Sequence, residues 1–173
     1  MRECERLGII IDLAHINPVG FGEICSLATG PLIVSHTNVR KYYDVERNIS
    51  DDQIRSIGRS GGVIGINSVL VSPNEAESTL DRYVDHIAHV ADLIGIEGVG
   101  IGFDFFEFIY RLWPREKQEA LEKKLAKPHF IPDLTNHAQA RNLTRKLIER
   151  GFSDEDIKKI LFGNWMRIFE KVL

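Results

Sequence analysis

Gly8-Ile9-Ile10-Ile11-Asp12-Leu13-Ala14-His15 and, further on, Pro31-Leu32-Ile33-Val34-Ser35-His36 decide the fold of this chain. Each is a short apolar, β-branched run that closes on a histidine. Such a run reads as a strand buried on both faces, the usual state of a parallel sheet. Its last residue then stands at the carboxyl end of the strand, where α/β barrels keep their chemistry. Histidines ending two successive strands approach one metal ion from neighbouring walls. Two are nevertheless too few for a complete zinc site.

The same pattern continues along the chain. Strands are expected at Ile9–Leu13, Leu32–Ser35, Val63–Asn67 and Gly98–Phe103. Between them fall helices near Val19–Ala28, from Ser50 until Gly61-Gly62 ends it, and over Glu77–Ile94. Pro18 fits a first helical turn, where its missing N–H is not needed. Ser50-Asp51-Asp52-Gln53 has the form of a capping box, with Ser50 as N-cap and Gln53 three residues on. Ser153-Asp154-Glu155-Asp156 is a second such box, with aspartate in place of the usual Glu or Gln. Tyr83, Ile87, Val90, Ala91 and Ile94 recur at helical spacing, and Gly95 ends that helix. Further helices are expected at Thr135–Arg150, Asp154–Leu161 and Trp165–Val172. Strands alternating with helices of this length predict parallel βαβ units, an α/β fold, in a single domain over 1–173.

Composition narrows the function. The chain has 173 residues, 43% hydrophobic and 27% charged, with a formal net charge of −3. That balance offers nothing to nucleic acid or an anionic membrane. No apolar stretch approaches the roughly 20 residues of a spanning helix. The charged start Met1-Arg2-Glu3-Cys4-Glu5-Arg6 lacks the form of a signal peptide. Cys4 and Cys25 have no CxxC spacing and read as reduced thiols, so a cytoplasmic location is expected.

The four expected strands end in His15, His36, Asn67 and Asp104. Carboxyl ends of a parallel sheet lie on one side, so all four residues can line one pocket. Neutral imidazole suits zinc, and a neighbouring carboxylate can move a proton. Arg47 follows the second strand on the same side, where a guanidinium can clamp a substrate carboxylate. A salt bridge from Arg47 to Asp44 or Asp51 is the alternative. His86 and His89, three apart on a helix, read as surface or core-edge residues rather than ligands, and His129 and His137 as exposed. Arg111 to Lys127 mixes lysine with Glu116, Glu119 and Glu122, which predicts a helical insertion with a solvated face.

In this order the motifs resemble the membrane dipeptidase (renal dipeptidase) family of zinc metallopeptidases, within the amidohydrolase-type barrels. The residues that carry the resemblance are the two histidine-ended strands, Arg47-Asn48-Ile49-Ser50-Asp51-Asp52, Gly61-Gly62-Val63, Val99-Gly100-Ile101-Gly102-Phe103-Asp104, Gly151 to Lys158, and Gly163-Asn164. The likeness covers about residues 1–104 and 131–173. It implies a (β/α)8 barrel with two zinc ions that hydrolyses dipeptides through a metal-activated hydroxide. By motif, His15 and His36 correspond to the histidines binding one zinc from the fifth and sixth strands. Asp104 corresponds to the proton-shuttling aspartate of the eighth strand, and Arg47 to the arginine that holds the substrate carboxylate. Asn67 is assigned here to substrate binding.

Two departures accompany the likeness. Where the family usually shows Ser-Asp-Phe-Asp-Gly, this chain has Phe103-Asp104-Phe105-Phe106-Glu107. It also contains no His-x-Asp motif for the other zinc. The chain therefore resembles the carboxyl-terminal half of the enzyme, strands five to eight, because a full barrel needs about 250 residues. Open sheet edges then predict a homo-oligomer or a partner chain that supplies the missing half. Two other functions fit the same residues: an inactive remnant serving as an interaction module, or hydrolysis of a different amide.

Overall fold

The computed structural model describes residues Met1–Leu173. A short helix α1 (Arg2–Arg6) leads into four strands: β1 (Ile11–Asp12), β2 (Leu32–Thr37), β3 (Val63–Ile66) and β4 (Val99–Ile101). They form one sheet in the order β1-β2-β3-β4, every neighbouring pair parallel. Helices α2 (Pro18–Leu27), α3 (Asp51–Arg59) and α4 (Leu80–Ile94) make the crossovers. After β4 come α5 (Glu107–Tyr110), α6 (Arg115–Lys124) and α7 (Arg141–Glu149). The chain ends in α8 (Asp154–Lys158), a π-type turn and α9 (Asn164–Val172). Strands adjacent in sequence order, all parallel, with crossover helices between them, are half of a (β/α)8 barrel.

Local chemistry sets the element boundaries. Asn17 caps α2 by accepting from the Gly20 N–H at 2.9 Å, with Pro18 in the first turn. The Ser50 box is complete: Ser50 Oγ accepts from Gln53 N, and Gln53 Oε1 accepts from Ser50 N. At Ser153 only half a box forms. Its Oγ accepts from Asp156 N, but the aspartate carboxylate bonds Ser153 Oγ rather than the backbone. Aspartate is one methylene too short for the return bond. Thr79, not Glu77, starts α4 by accepting from Arg82 N, and a 3-10 turn at Glu75–Glu77 precedes it. The stretch expected to be helical from Thr135 has a 3-10 turn at His137–Gln139, and α7 begins only at Arg141.

One face of the sheet carries the main core. Leu32, Val34, Ile64 and Ile66 pack against Ile54, Ile57, Tyr83 and Ile87 of α3 and α4. The Tyr83 hydroxyl donates to the Ile66 carbonyl at 2.6 Å, so its buried polar end is satisfied. Alternation along the strands sends Ile33 and Val63 to the opposite face. An open inner face is the expectation for a half barrel, and here the structure differs: Ile168 of α9 packs on Ile33 and Val63. The Trp165 indole N–H donates to the Ile101 carbonyl, and Asn164 Nδ2 donates to the carbonyls of Ile96 and Val99.

β2 is longer than its apolar run suggests, and it is bulged. Val34 pairs with Ile64 but Thr37 with Ile66, so β2 holds one extra residue. A bulge bends the strand and re-aims a side chain, here His36. The Ser35 carbonyl is pushed over the sheet, where a Cβ on Gly65 would lie 2.2 Å from it and one on Gly102 2.1 Å. Glycine at both positions makes room for the bulge.

Candidate metal and substrate site

His15, His36 and Asp104 meet at the carboxyl edge of the sheet. The Nε2 atoms of His15 and His36 are 2.7 Å apart, with ring centroids at 4.8 Å and an interplanar angle of 63°. Asp104 Oδ2 is 3.8 Å from His36 Nε2. Both His15 and Asp104 adopt left-handed backbone, with φ of 67° and 53°. That conformation is uncommon for residues other than glycine and collects at functional sites.

The other ring nitrogens are engaged as well. His36 Nδ1 lies 2.9 Å from Ser35 Oγ, and His15 Nδ1 faces the Arg47 guanidinium. A guanidinium can only donate, so the hydrogen-bond pattern assigns the His15 proton to Nε2. His36 Nε2 then accepts it, and His36 Nδ1–H points to Ser35. Burial, with the positive charge of Arg47 next, holds the His15 pKa below its ordinary value. Both effects favour neutral imidazole, the state a metal needs.

Arg47 makes no salt bridge with Asp44 or Asp51; Asp44 pairs instead with Arg40, and Asp51 with His89. Burial lowers the Arg47 pKa, opposed by the charge of Asp104. Its segment is pinned on several sides. Thr37 Oγ1 donates to the Arg47 carbonyl at 2.9 Å, and Asn48 Nδ2 donates to the Tyr43 and Leu70 carbonyls. Asn67 Nδ2 donates to Asp104 Oδ2 at 3.2 Å, while its Oδ1 accepts from Val69 N. Asn67 thus borders the cavity and also orients Asp104.

Two adjoining cavities of about 500 and 410 Å³ open at this edge. Both are lined by His15, His36, Arg47, Leu121 and Leu125. The smaller also holds Asn67, Asp104, Phe106 and Trp113. The expected solvated insertion is therefore only solvated outside: α6 and the residues after it turn Leu121 and Leu125 onto the site.

Zinc is testable against this geometry. Tetrahedral zinc, with Zn–N bonds of about 2.1 Å, holds two nitrogens roughly 3.3 Å apart. The two Nε2 atoms, 2.7 Å apart, need to open by only about half an ångström to reach that spacing. No group of three or more His, Cys, Asp or Glu residues in the chain is arranged to hold a metal. The pair fits two ligands of a site, not a whole one.

Other histidines depart from expectation. His86 is fully buried rather than at the surface or core edge. Val39 N donates to its Nδ1, and its Nε2 lies 2.9 Å from the Val71 carbonyl. It clamps the segments that follow β2 and β3, a role the amphipathic pattern of α4 does not reveal. His129 is also buried, not exposed, whereas His137 is exposed. Asp12 has a role that the strand pattern leaves out: its Oδ1 accepts from Ala14 N and Ser35 N, tying β1 to the bulge beside His36. A carboxylate interrupting an apolar strand is the signal for it.

Known proteins resemble this chain in sequence and fold. The sequence profile described as membrane dipeptidase (peptidase family M19) matches residues 1–116 and 124–173. An uncharacterised dipeptidase of Schizosaccharomyces pombe is 29% identical over 98% of this chain and 38% of its own length. The dipeptidase tcpJ of Claviceps purpurea is 25% identical over 99% of this chain and 36% of its own. Among solved structures, an amidohydrolase from Pseudomonas aeruginosa superposes with a TM-score of 0.85 at 26% identity, over 99% of this chain and 55% of that one. A metallopeptidase from Rhodobacter sphaeroides, liganded with a phosphinate mimic of the dipeptide L-Ala-D-Ala, superposes with a TM-score of 0.80 at 25% identity, over 99% of this chain and 45% of that one. The chain thus spans well under half the length of those two curated relatives. Carrying the profile along almost its whole length on a half-barrel sheet, the chain belongs to the membrane dipeptidase family, peptidase family M19.

Proposed function

We propose that this chain, as one partial domain over 1–173, is the carboxyl-terminal half of a zinc dipeptidase. The observation that carries the reading is the convergence of His15, His36, Arg47 and Asp104 on one cavity at the carboxyl strand ends. The phosphinate dipeptide mimic held by the Rhodobacter relative supports a dipeptide as substrate. His15 and His36, with ligands from the other half barrel, would hold zinc, which would supply an activated nucleophile and polarise the carbonyl. The remaining work falls to this chain. Arg47 receives the free carboxylate of the dipeptide in a bidentate pair. Asp104 takes a proton at its carboxylate and passes it to the leaving amine. Asn67 keeps Asp104 turned toward the site.

The partner follows from the same reading. It is a half barrel carrying the remaining ligands, supplied by another chain or another segment, with self-association as the fallback. No helix of this chain is long and apolar enough to cross a membrane. Cys4 and Cys25 are free, which supports a reducing, cytoplasmic compartment. The test is to mix this chain with the amino-terminal half of a family member and assay a dipeptide with zinc. Hydrolysis that chelation abolishes is expected; no hydrolysis, or hydrolysis indifferent to chelation, overturns the reading.

A further inference from the structure

We propose that the α5–α6 hairpin forms an apolar subsite beside Arg47 that selects dipeptides carrying a bulky apolar side chain, such as leucine or phenylalanine. The inference rests on the dipeptidase reading and adds the class of substrate. It starts from an oddity in α6. Nearly every residue of Arg115–Lys124 is charged or polar, and an isolated helix of that composition would be solvated all round. Leu121 is its one large apolar residue, and Leu125 follows one turn on, just past the helix. Both face the cavity that holds Arg47 and Asp104, and Phe106, Ile109 and Trp113 complete the wall. Residues 117–123, which include Leu121, fall between the two stretches matched by the family profile, whereas Phe106, Ile109, Trp113 and Leu125 lie within them.

The hairpin is braced rather than loose. Phe106 meets Tyr110 and Phe130 edge-to-face, and Tyr110 lies tilted against Phe130, with all three centroids 5.4 to 5.9 Å apart. Gln118 Nε2 donates to the carbonyls of Tyr110 and Trp113, closing the turn between the helices. Lys117 Nζ lies 3.8 Å from the centre of the Trp113 ring. The cavity, about 410 Å³, accommodates a dipeptide with one large side chain. With glycine residues only, the wall stays wet. A leucine or phenylalanine side chain dries it, and that burial is the source of selectivity.

Calorimetric titration of the full chain, in buffer containing zinc, with Gly-Gly, Gly-Leu and Leu-Gly tests the proposal. At least one leucine peptide should bind about tenfold or more tightly than Gly-Gly. Replacing Leu121→Ala with Leu125→Ala should erase most of that gain while changing Gly-Gly affinity less than about twofold. Leu121→Trp fills the subsite and should turn the preference toward the smaller peptide. Equal affinities in the native chain, or a preference that survives both variants, would overturn the subsite alone. Absence of binding by all three peptides overturns the subsite; the dipeptidase reading then stands or falls on hydrolysis by the complex with the amino-terminal half. Binding untouched by Arg47→Ala overturns the dipeptidase reading.

Discussion

His15 holds left-handed backbone with φ of 67°, at a cost of about 1–2 kcal/mol for an L residue, less for a polar one. Its side chain is only partly desolvated at the cavity and otherwise exposed, so little packing repays that strain. His15→Gly is therefore expected to raise stability by about 0.5 kcal/mol in urea unfolding, after the entropy glycine adds to the unfolded chain. A loss beyond about 1 kcal/mol would show that the histidine holds the fold instead. Arg47 makes a second prediction. Its guanidinium donates to His15 Nδ1, yet a histidine binding zinc through Nε2 carries its proton on Nδ1. Zinc and the Arg47–His15 contact thus exclude each other, and loading the metal frees Arg47 for a carboxylate. Arg47→Leu should tighten zinc binding to the isolated chain severalfold in a competition titration; weaker binding would refute the exclusion.

At the scale of elements, α4 and the segments that follow β2 and β3 are tied together by His86. Burial, the dominant cause, holds its pKa down at about 4 against an ordinary 6.5; Arg82 and His89 add to the shift, and Val71 and Asp85 oppose it. Between those values the unfolded chain binds the proton and the folded chain does not. Stability from this site is therefore complete above pH 6.5 and is lost as pH falls toward about 4, by on the order of 3 kcal/mol. His86→Gln should be less stable at neutral pH and show a flatter decline on acidification; an unchanged slope would contradict the clamp. This clamp also marks the limit of what sequence periodicity conveys. The strands ending in His15 and His36, the Ser50 box and Asp104 are legible because period, capping and strand-end position are local signals. The bulge at Ser35, the burial of His86 and the inward turn of Leu121 are not, because each depends on residues distant in sequence.

The whole molecule has unfinished surfaces. β1 and β4 are both edges of the sheet. Phe162, Met166, Phe169 and Leu173 are 58%, 45%, 38% and 87% exposed, at helical spacing along the final helical segment. Apolar stripes and open edges of this kind mark an interface. The isolated chain should therefore self-associate as its concentration rises, and an added amino-terminal half barrel should convert it to a one-to-one complex in light scattering. A chain that remains monomeric, alone and with that half, would contradict the interface. The most direct measurement is the zinc content of that complex. Two ions per complex are expected, falling to one when His15→Ala and His36→Ala are combined; two ions retained by the double variant would contradict the assignment of these histidines to a zinc.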